Sequence, residues 1–124
     1  MPKPKPPLTP LELEIMNVLW DGSPANVQSV QQNLARPLAY TTVQTMLNVL
    51  WRKGHAKRTL KEKAYFYRPA VSRHSVAQRT LGDVVDRLFG GSATNLVMSL
   101  VETNQLSRED VEKVRRMIDE ASDE

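Results

Sequence analysis

The stretch 40–54 constrains the fold of this chain more than any other part of its sequence. Its large apolar residues recur at the spacing of an α-helix and form one stripe that can face a core: Val43, Met46, Leu47, Leu50 and Trp51. The opposite face carries polar residues and no acid: Thr41, Gln44, Thr45, Asn48 and Arg52. Such side chains read base edges in DNA, whereas phosphate repels a carboxylate. The stretch therefore predicts a DNA-reading helix, with an ordinary solvated face as the alternative on this segment alone.

A first helix is predicted well before this stretch. Thr9, Pro10 and Glu12 have the order of an N-cap, a first helical residue and the closing acid of a capping box. The core positions that follow at helical spacing are Leu11, Ile15, Val18 and Leu19. Trp20 stands where this helix should end, and it is interpreted as a core residue rather than as part of a ligand site.

A second helix is predicted between the first helix and the stretch 40–54. Asn26 can cap it, and its apolar positions are Val27, Val30 and Leu34. It should stop near Ala35, because the residue before a proline, here Arg36, is disfavoured in a helix. Two short helices, a tight turn and a third helix with a polar outer face predict a helix-turn-helix.

The hydrophobic period changes after Gly54, which is a candidate helix C-cap. Residues 55–60 and 64–69 are predicted to be two short strands around the turn 61–63, with aromatic residues that favour a sheet. The basic residues of this hairpin are Lys57, Arg58, Lys61, Lys63 and Arg68. A basic hairpin directly after a DNA-reading helix is typical of the wing of a winged helix, which contacts phosphates.

The C-terminal part has three helical patterns, which begin near Ser72, near Ser92 or Thr94, and at Ser107. About fifty residues of helix make a marginal core on their own, so their apolar faces need a partner. A second copy of the same element, giving a twofold homodimer, is predicted, and packing onto the N-terminal half is the alternative. The predicted fold class is thus mostly α with a small β-hairpin: a basic tail (1–8), a winged helix-turn-helix (9–70) and a helical dimerisation region (71–124).

The charge is unevenly distributed along the 124 residues. Residues 1–69 hold ten Lys and Arg against four Asp and Glu, a net +6, and residues 70–124 hold seven against ten, a net −3. A basic half joined to an acidic half indicates one part for a polyanion and another for a different partner. Met1–Pro7 is expected to be an extended tail with no packing role. The N-terminus lacks the apolar run of a signal peptide and no stretch has membrane-spanning length, so a cytoplasmic location is expected.

No enzyme, cofactor or metal site is predicted. The chain has no cysteine, and its two histidines, His55 and His74, lack other ligands at a suitable spacing. Gly90 and Gly91 fall between helices and are interpreted as a hinge rather than as a phosphate-binding loop. No pair of carboxylates lies in an apolar context that would raise a pKa for acid–base work.

Several of these motifs occur together, in order, in one known family. The run Thr9–Trp20, the run Thr41–Leu47, the pair Lys53–Gly54, Tyr65–Tyr67 and Leu88–Gly91 resemble the penicillinase-repressor (BlaI/MecI/CopY) family. The resemblance spans about residues 8–118, nearly the whole chain. It implies a dimeric winged-helix transcriptional repressor that occupies a palindromic operator through helix 41–53 and wing 55–69, with control of β-lactam resistance or a related stress regulon.

The resemblance also implies which residues act. Those in the major groove or on its flanking phosphates would be Thr42, Gln44, Thr45, Asn48 and Arg52. The full set of predicted DNA contacts adds Tyr40, Thr41, Lys53, Lys57, Arg58, Lys61 and Lys63. The dimer interface would contain Leu81, Val85, Leu88, Leu96, Leu100, Val114 and Ile118. The alternative function is a winged-helix protein-interaction module that docks an acidic partner without a specific DNA site.

Three departures from the family pattern bear on these expectations. Val49-Leu50 stands where the family often has an Arg-Leu pair, which removes a candidate base or phosphate reader. A membrane sensor-protease inactivates well-studied members at an Asn-Phe bond, and the matching candidate cleavage site here is Ser99-Leu100. The copper-responsive branch has a C-terminal cysteine cluster, which this cysteine-free sequence does not share.

Overall fold

The computed structural model describes residues 6–122, and within that range it contains six helices and one antiparallel hairpin. In chain order the elements are α1 (Pro10–Asp21), α2 (Val27–Asn33), α3 (Tyr40–Arg52), β1 (Ala56–Lys61), β2 (Ala64–Pro69), α4 (Arg73–Leu88), α5 (Ala93–Glu102) and α6 (Arg108–Ser122). This architecture confirms the predicted mostly α fold with one small β-hairpin. The chain forms two compact units, Met1–Ala77 (the first unit) and Gln78–Glu124 (the second unit). Residues 1–5 of the predicted basic tail lie outside the described residues.

Helix α1 begins with the predicted capping box. The Glu12 backbone N–H donates to Thr9 Oγ1 at 3.2 Å, and the Thr9 N–H donates to Glu12 Oε1 at 2.8 Å. Ile15 and Leu19 are fully buried as expected, but Leu11 and Val18 are only half-buried. Met16 takes a fully buried place instead, because the buried stripe of the helix is rotated by about one residue from the predicted one.

The core of the first unit is shared by α1, α2, α3 and the hairpin. Its buried apolar side chains are Ile15, Met16, Leu19, Ala25, Val27, Val30, Val43, Leu47, Leu50, Ala56 and Tyr67. Trp20 packs against this core, as predicted, and its indole N–H donates to the Val71 carbonyl at 2.9 Å. Three fully buried residues of α3 anchor that helix and fix which of its faces points outward.

Helix α2 is shorter than predicted. Asn26 caps it, accepting from the Ser29 N–H at 2.9 Å, but the helix ends at Asn33 rather than near Ala35. The side-chain amide of Asn33 donates to the Ser29 carbonyl at 2.8 Å, so that carbonyl, in the last turn of the helix, has a side-chain hydrogen-bond partner. The Gln31 amide then donates to the Leu38 carbonyl at 2.9 Å and ties the turn before α3 to α2.

The hairpin has a tighter turn than predicted. Ala56 pairs with Pro69 and Lys61 with Ala64, so Lys61 belongs to β1 and the connecting turn has only two residues, Glu62 and Lys63. Both have positive φ, 51° and 69°, as a two-residue turn of this kind requires. His55 does not begin the first strand as expected, because its backbone N–H donates to the Leu50 carbonyl at 2.9 Å at the end of α3, and the strand starts one residue later.

The second unit has well-formed helix ends and no buried side chain among its described residues. Ser92 caps α5 by accepting from the Asn95 N–H at 3.1 Å. Ser107 and Asp110 exchange reciprocal hydrogen bonds of 3.0 Å at the start of α6. They form a capping box in which an aspartate takes the position that a glutamate or glutamine usually has. These bonds also hold the pKa of Asp110 below its ordinary value. No helix in residues 6–122 is both long enough and apolar enough to cross a membrane.

Candidate nucleic-acid interface

The outer face of α3 is exposed and free of acids. Six of the residues predicted to contact DNA lie exposed on it, and a seventh, Asn48, is half-buried; the six are Tyr40, Thr41, Thr42, Gln44, Thr45 and Arg52. Between Asp21 and Glu62 the sequence contains no acidic residue at all. The helix also begins without a side-chain cap, so its first N–H groups are open to an outside acceptor such as a phosphate.

The hairpin places a cation against this face. The Arg58 guanidinium lies 3.5 Å from the ring centroid of Trp51 and 3.9 Å from that of Tyr65, and its Nη1 donates to Asn48 Oδ1 at 3.2 Å. Trp51, predicted to face the core, is instead 40% exposed. The prediction was wrong because Trp51 lies at the edge of the apolar stripe, where Arg58 covers its ring. Arg58 is thereby held beside the helix rather than left on an open surface.

An open cleft of about 330 Å³ separates α3 from the hairpin. Polar side chains of the helix and aromatic side chains of the hairpin line it: Gln44, Thr45, Asn48, Arg58, Tyr65 and Tyr67. Three residues of α3 that are predicted to contact DNA line this cleft together with one such residue of the wing, Arg58. The lining is rich in hydrogen-bonding groups and carries no carboxylate, which suits the edge of a base pair.

A second open cleft of about 620 Å³ lies along the hairpin and has a basic lining that includes Lys57, Arg58 and Arg68. Lys57 and Arg68 are directly cross-strand partners and both are exposed. Like charges opposite each other destabilise a sheet unless an anion lies between them. Arg68 belongs with the candidate contacts, although the predicted set of DNA contacts omits it, and the pairing of the two strands is the signal that reveals it.

Lys53 is engaged in an ion pair inside the protein. Its Nζ lies 2.9 Å and 3.1 Å from the two carboxylate oxygens of Glu12, whose side chain is only 2% exposed. Burial by itself would raise the pKa of Glu12, but hydrogen bonds from the Thr9 backbone and from Lys53 outweigh it and hold that pKa below its ordinary value. A phosphate contact by Lys53 stays a prediction, and it would compete with this pair.

The end of the predicted tail is packed rather than free. His55 is buried, and its Nε2 lies 2.7 Å from the Pro6 carbonyl oxygen, while Leu8 packs against the core. The expectation that Met1–Pro7 has no packing role is therefore wrong for its described end. A buried histidine needs a hydrogen-bond acceptor for one ring N–H, and the tail supplies it. Within residues 6–122 no group of three His, Cys, Asp or Glu side chains could hold a metal ion.

The residues predicted for dimerisation and cleavage all lie on the helices of the second unit. Four of the seven dimer residues are strongly exposed: Leu81 (52%), Leu88 (74%), Val114 (46%) and Ile118 (60%). The other three, Val85, Leu96 and Leu100, are half-buried. The candidate cleavage pair, Ser99 and Leu100, lies within α5, where the Ser99 carbonyl accepts hydrogen bonds from both the backbone N–H and the hydroxyl of Thr103.

Known proteins resemble this chain over most of its length. A protein-family model described as "Penicillinase repressor" matches residues 8–120. The penicillinase repressor of Bacillus licheniformis is 26% identical over 117 residues, which is 93% of this chain and 91% of that protein. The methicillin resistance regulatory protein MecI of Mammaliicoccus sciuri is 24% identical over 109 residues, 86% and 89% of the two chains. Among solved structures, the B. licheniformis BlaI monomeric form in complex with the blaP half-operator aligns with 56% of this chain and 88% of that chain, at 29% identity and a TM-score of 0.49.

Proposed function

The chain belongs to the penicillinase-repressor family, and from this premise we propose that it is a dimeric DNA-binding transcriptional repressor that occupies a palindromic operator. The observation that carries the proposal is the exposed, acid-free polar face of α3, held outward by a buried core and flanked by a basic hairpin. Repression would follow from occupancy, since a protein bound over a promoter excludes the polymerase. Operator binding would also place the chain in the cytoplasm, with the DNA.

The binding mode follows from the arrangement of the first unit. We expect α3 to enter the major groove, where its Thr, Gln and Asn side chains meet base edges. The wing residues Lys57, Lys61, Lys63 and Arg68 would then bind the phosphates beside the groove. These phosphate contacts make the affinity depend on salt, and they carry no sequence information.

Dimerisation would set the spacing of the two recognition helices. The exposed apolar side chains of α4, α5 and α6 need a cover, and a second copy of the region 71–124 supplies one with the same pattern. Two half-sites on one face of B-DNA lie roughly 34–36 Å apart, about one turn of the double helix. The dimer would therefore read a palindrome whose half-sites have this separation.

The names of the relatives suggest the regulated genes. Two relatives are named as penicillinase repressors and others as methicillin resistance regulatory proteins, so we place β-lactam resistance, or a related stress response, under this repressor.

If a membrane sensor-protease inactivates it at Ser99-Leu100, α5 must open first. Proteases bind extended backbone, and this bond lies inside a hydrogen-bonded helix.

A gel-shift titration against DNA upstream of the chain's own gene, with random DNA as competitor, tests the proposal. We expect a discrete complex that survives a large excess of competitor. Gln44→Glu places an acid on the acid-free face and should abolish that complex, while Asn17→Asp makes the same change of amide to carboxylate on the exposed side of α1 and should not. Salt-dependent binding that random DNA abolishes equally well would instead indicate a basic winged helix with a protein partner.

A further inference from the structure

Arg58 has a fixed position in the first unit, although arginine is among the most flexible side chains. Two aromatic rings, those of Trp51 and Tyr65, lie 3.5 Å and 3.9 Å from its guanidinium carbon. A hydrogen bond of 3.2 Å joins its Nη1 to Asn48 Oδ1. These two aromatic contacts and the directed hydrogen bond together restrain the guanidinium.

This contact determines which way the Asn48 amide points. A guanidinium has only N–H donors and no acceptor, so the amide atom that faces it must be the oxygen. The orientation of an asparagine amide is otherwise open to a flip of oxygen and nitrogen. Here the donor-only partner removes that freedom. The Nδ2 group, with its two N–H donors, is not engaged by Arg58, and Asn48 lines the cleft between α3 and the hairpin.

From this geometry we propose that Arg58 is a positioning residue that makes Asn48 a hydrogen-bond donor, so that Asn48 selects a base with a keto oxygen in the major groove. Guanine offers O6 and N7 as acceptors there, and thymine offers O4. The usual asparagine contact with adenine needs the amide oxygen to accept from N6 while the amide nitrogen donates to N7, and the bond to Arg58 turns that oxygen toward the guanidinium instead. If the amide nitrogen faces the edge position where guanine and thymine carry an oxygen and adenine carries an amino group, Asn48 favours guanine or thymine over adenine. This inference rests on the proposed function, because it concerns which operator is read.

The competing role for Arg58 is that of an ordinary phosphate contact of the wing. Lys61, exposed at the end of β1, has that position and provides a matched comparison. Loss of a phosphate contact weakens binding to all sequences equally, whereas loss of a positioning residue changes the base preferred at one position. The base preference thus separates the two roles, and a purely structural role of Arg58 would leave it unchanged.

The experiment is selection from a random double-stranded DNA pool with the full-length chain, followed by sequencing of the bound fraction. The wild type should yield a palindromic consensus, and Asn48→Ala should relax it at one position in each half-site. At that position the wild type should favour guanine or thymine over adenine by about tenfold, the discrimination expected of one good base contact. Arg58→Met keeps a long side chain against the rings but frees the amide oxygen, so adenine should become as good as the keto bases there.

Asn48→Asp tests the same idea without touching Arg58. One carboxylate oxygen keeps the bond to Arg58, and the other presents an acceptor to the groove. The preference at the same position should then invert from guanine or thymine to a base with an amino group, cytosine or adenine. Lys61→Met should lower the yield of bound DNA and leave the consensus unchanged. Thermal melts of each variant show that the fold is intact.

The outcomes are distinguishable. A wild-type preference for adenine at the Asn48 position would overturn the inference and leave the proposed function standing. So would an Arg58→Met variant that loses affinity for all sequences alike, or an Asn48→Asp variant whose base preference does not invert. A wild-type selection without any consensus would overturn the proposed function itself, and the inference with it.

Discussion

The two units use the same kind of sequence pattern and reach opposite degrees of burial. In the first unit, α1, α2 and α3 turn their apolar stripes toward each other and bury residues such as Ile15 and Leu47 completely. In the second unit, α4, α5 and α6 have equally regular stripes, yet Leu88 is 74% exposed and Met117 69%. Helical periodicity predicts that a face will be buried, but it does not say by what.

This difference explains how the roles are divided. The first unit closes its core within one chain, so it can hold α3 and the hairpin in a fixed geometry without help. The second unit leaves its large apolar residues uncovered, and in the proposed dimer it would gain burial from a second copy. We therefore expect the stability of the first unit to be independent of protein concentration and that of the second unit to depend on it.

The largest expected effect is that of Leu47→Ala, which empties a fully buried position in the first unit. It should lower the free energy of unfolding by about 2–5 kcal/mol through lost burial and a cavity. Chemical denaturation at two protein concentrations checks this, and the loss should be the same at both. Leu88→Ala, the matched change in the second unit, should leave the transition of the first unit in place. Equal losses from the two variants would contradict the comparison.

The next effect is that of Lys53→Met, which leaves the buried Glu12 carboxylate without its cation. Breaking such a pair should cost about 3 kcal/mol, again in the first unit.

The wild type should also lose stability in acid. Because the pKa of Glu12 is lower in the folded chain than in the unfolded one, its contribution is full above the ordinary carboxyl pKa and disappears as the pH falls through the lowered value. Denaturation across the acid range measures this.

Glu12→Gln is the control for that pH dependence. It keeps a side chain of the same shape but cannot titrate, so the unfolding free energy of the first unit should vary less with pH in acid than that of the wild type. An identical acid profile in the wild type and Glu12→Gln would show that other carboxylates of the first unit control its acid sensitivity.

A smaller effect is expected from Ile118→Ala in the second unit. Removing an apolar side chain that is 60% exposed in one chain should weaken the dimer about tenfold, or about 1.4 kcal/mol, and leave the melting of the first unit unchanged. Sedimentation equilibrium measures the dimer, with Arg116→Ala on the polar side of α6 as control. Affinity for a palindrome should fall while affinity for a half-site stays the same. A variant that melts earlier but dimerises normally would overturn the assignment.

The smallest effect is that of Lys61→Met at the end of β1. Affinity for DNA should fall evenly for all sequences, and the slope of log affinity against log salt should become shallower by about one. Lys113→Met in the second unit removes the same charge and should leave the slope unchanged. Titrations by fluorescence anisotropy at several salt concentrations compare the two, and equal changes would show that the second unit also contacts phosphate.

The sequence predicted the elements better than it predicted the contacts between them. The three N-terminal helices, the hairpin and the capping residues follow from local rules of capping, periodicity and β-propensity, and they are present. The pairing of Glu12 with Lys53 joins residues far apart in the chain, and no local pattern marks it. Trp51 was assigned to the core because periodicity cannot show that a cation from the hairpin covers the ring.

The same limit applies to the candidate interface. The polar face of α3 and the basic residues of the wing could be read from the order of residue types alone. The contact between Arg58 and Asn48 depends on which strand residue reaches the helix, which follows from the register of β1 against β2. The packing of His55 on Pro6 likewise depends on where the chain enters the first unit.

The position of Trp51, with its ring against Arg58, also allows DNA binding to be followed by the intrinsic fluorescence of the protein. Both tryptophans, Trp20 and Trp51, belong to the first unit, and the second unit has none. Trp20 is half-buried beside the core and Trp51 lies 40% exposed at the candidate interface. Emission from Trp51 should therefore change when DNA displaces water around its ring, whereas emission from Trp20 should respond to unfolding. Single Trp→Phe variants would make binding and unfolding visible separately, without any added dye.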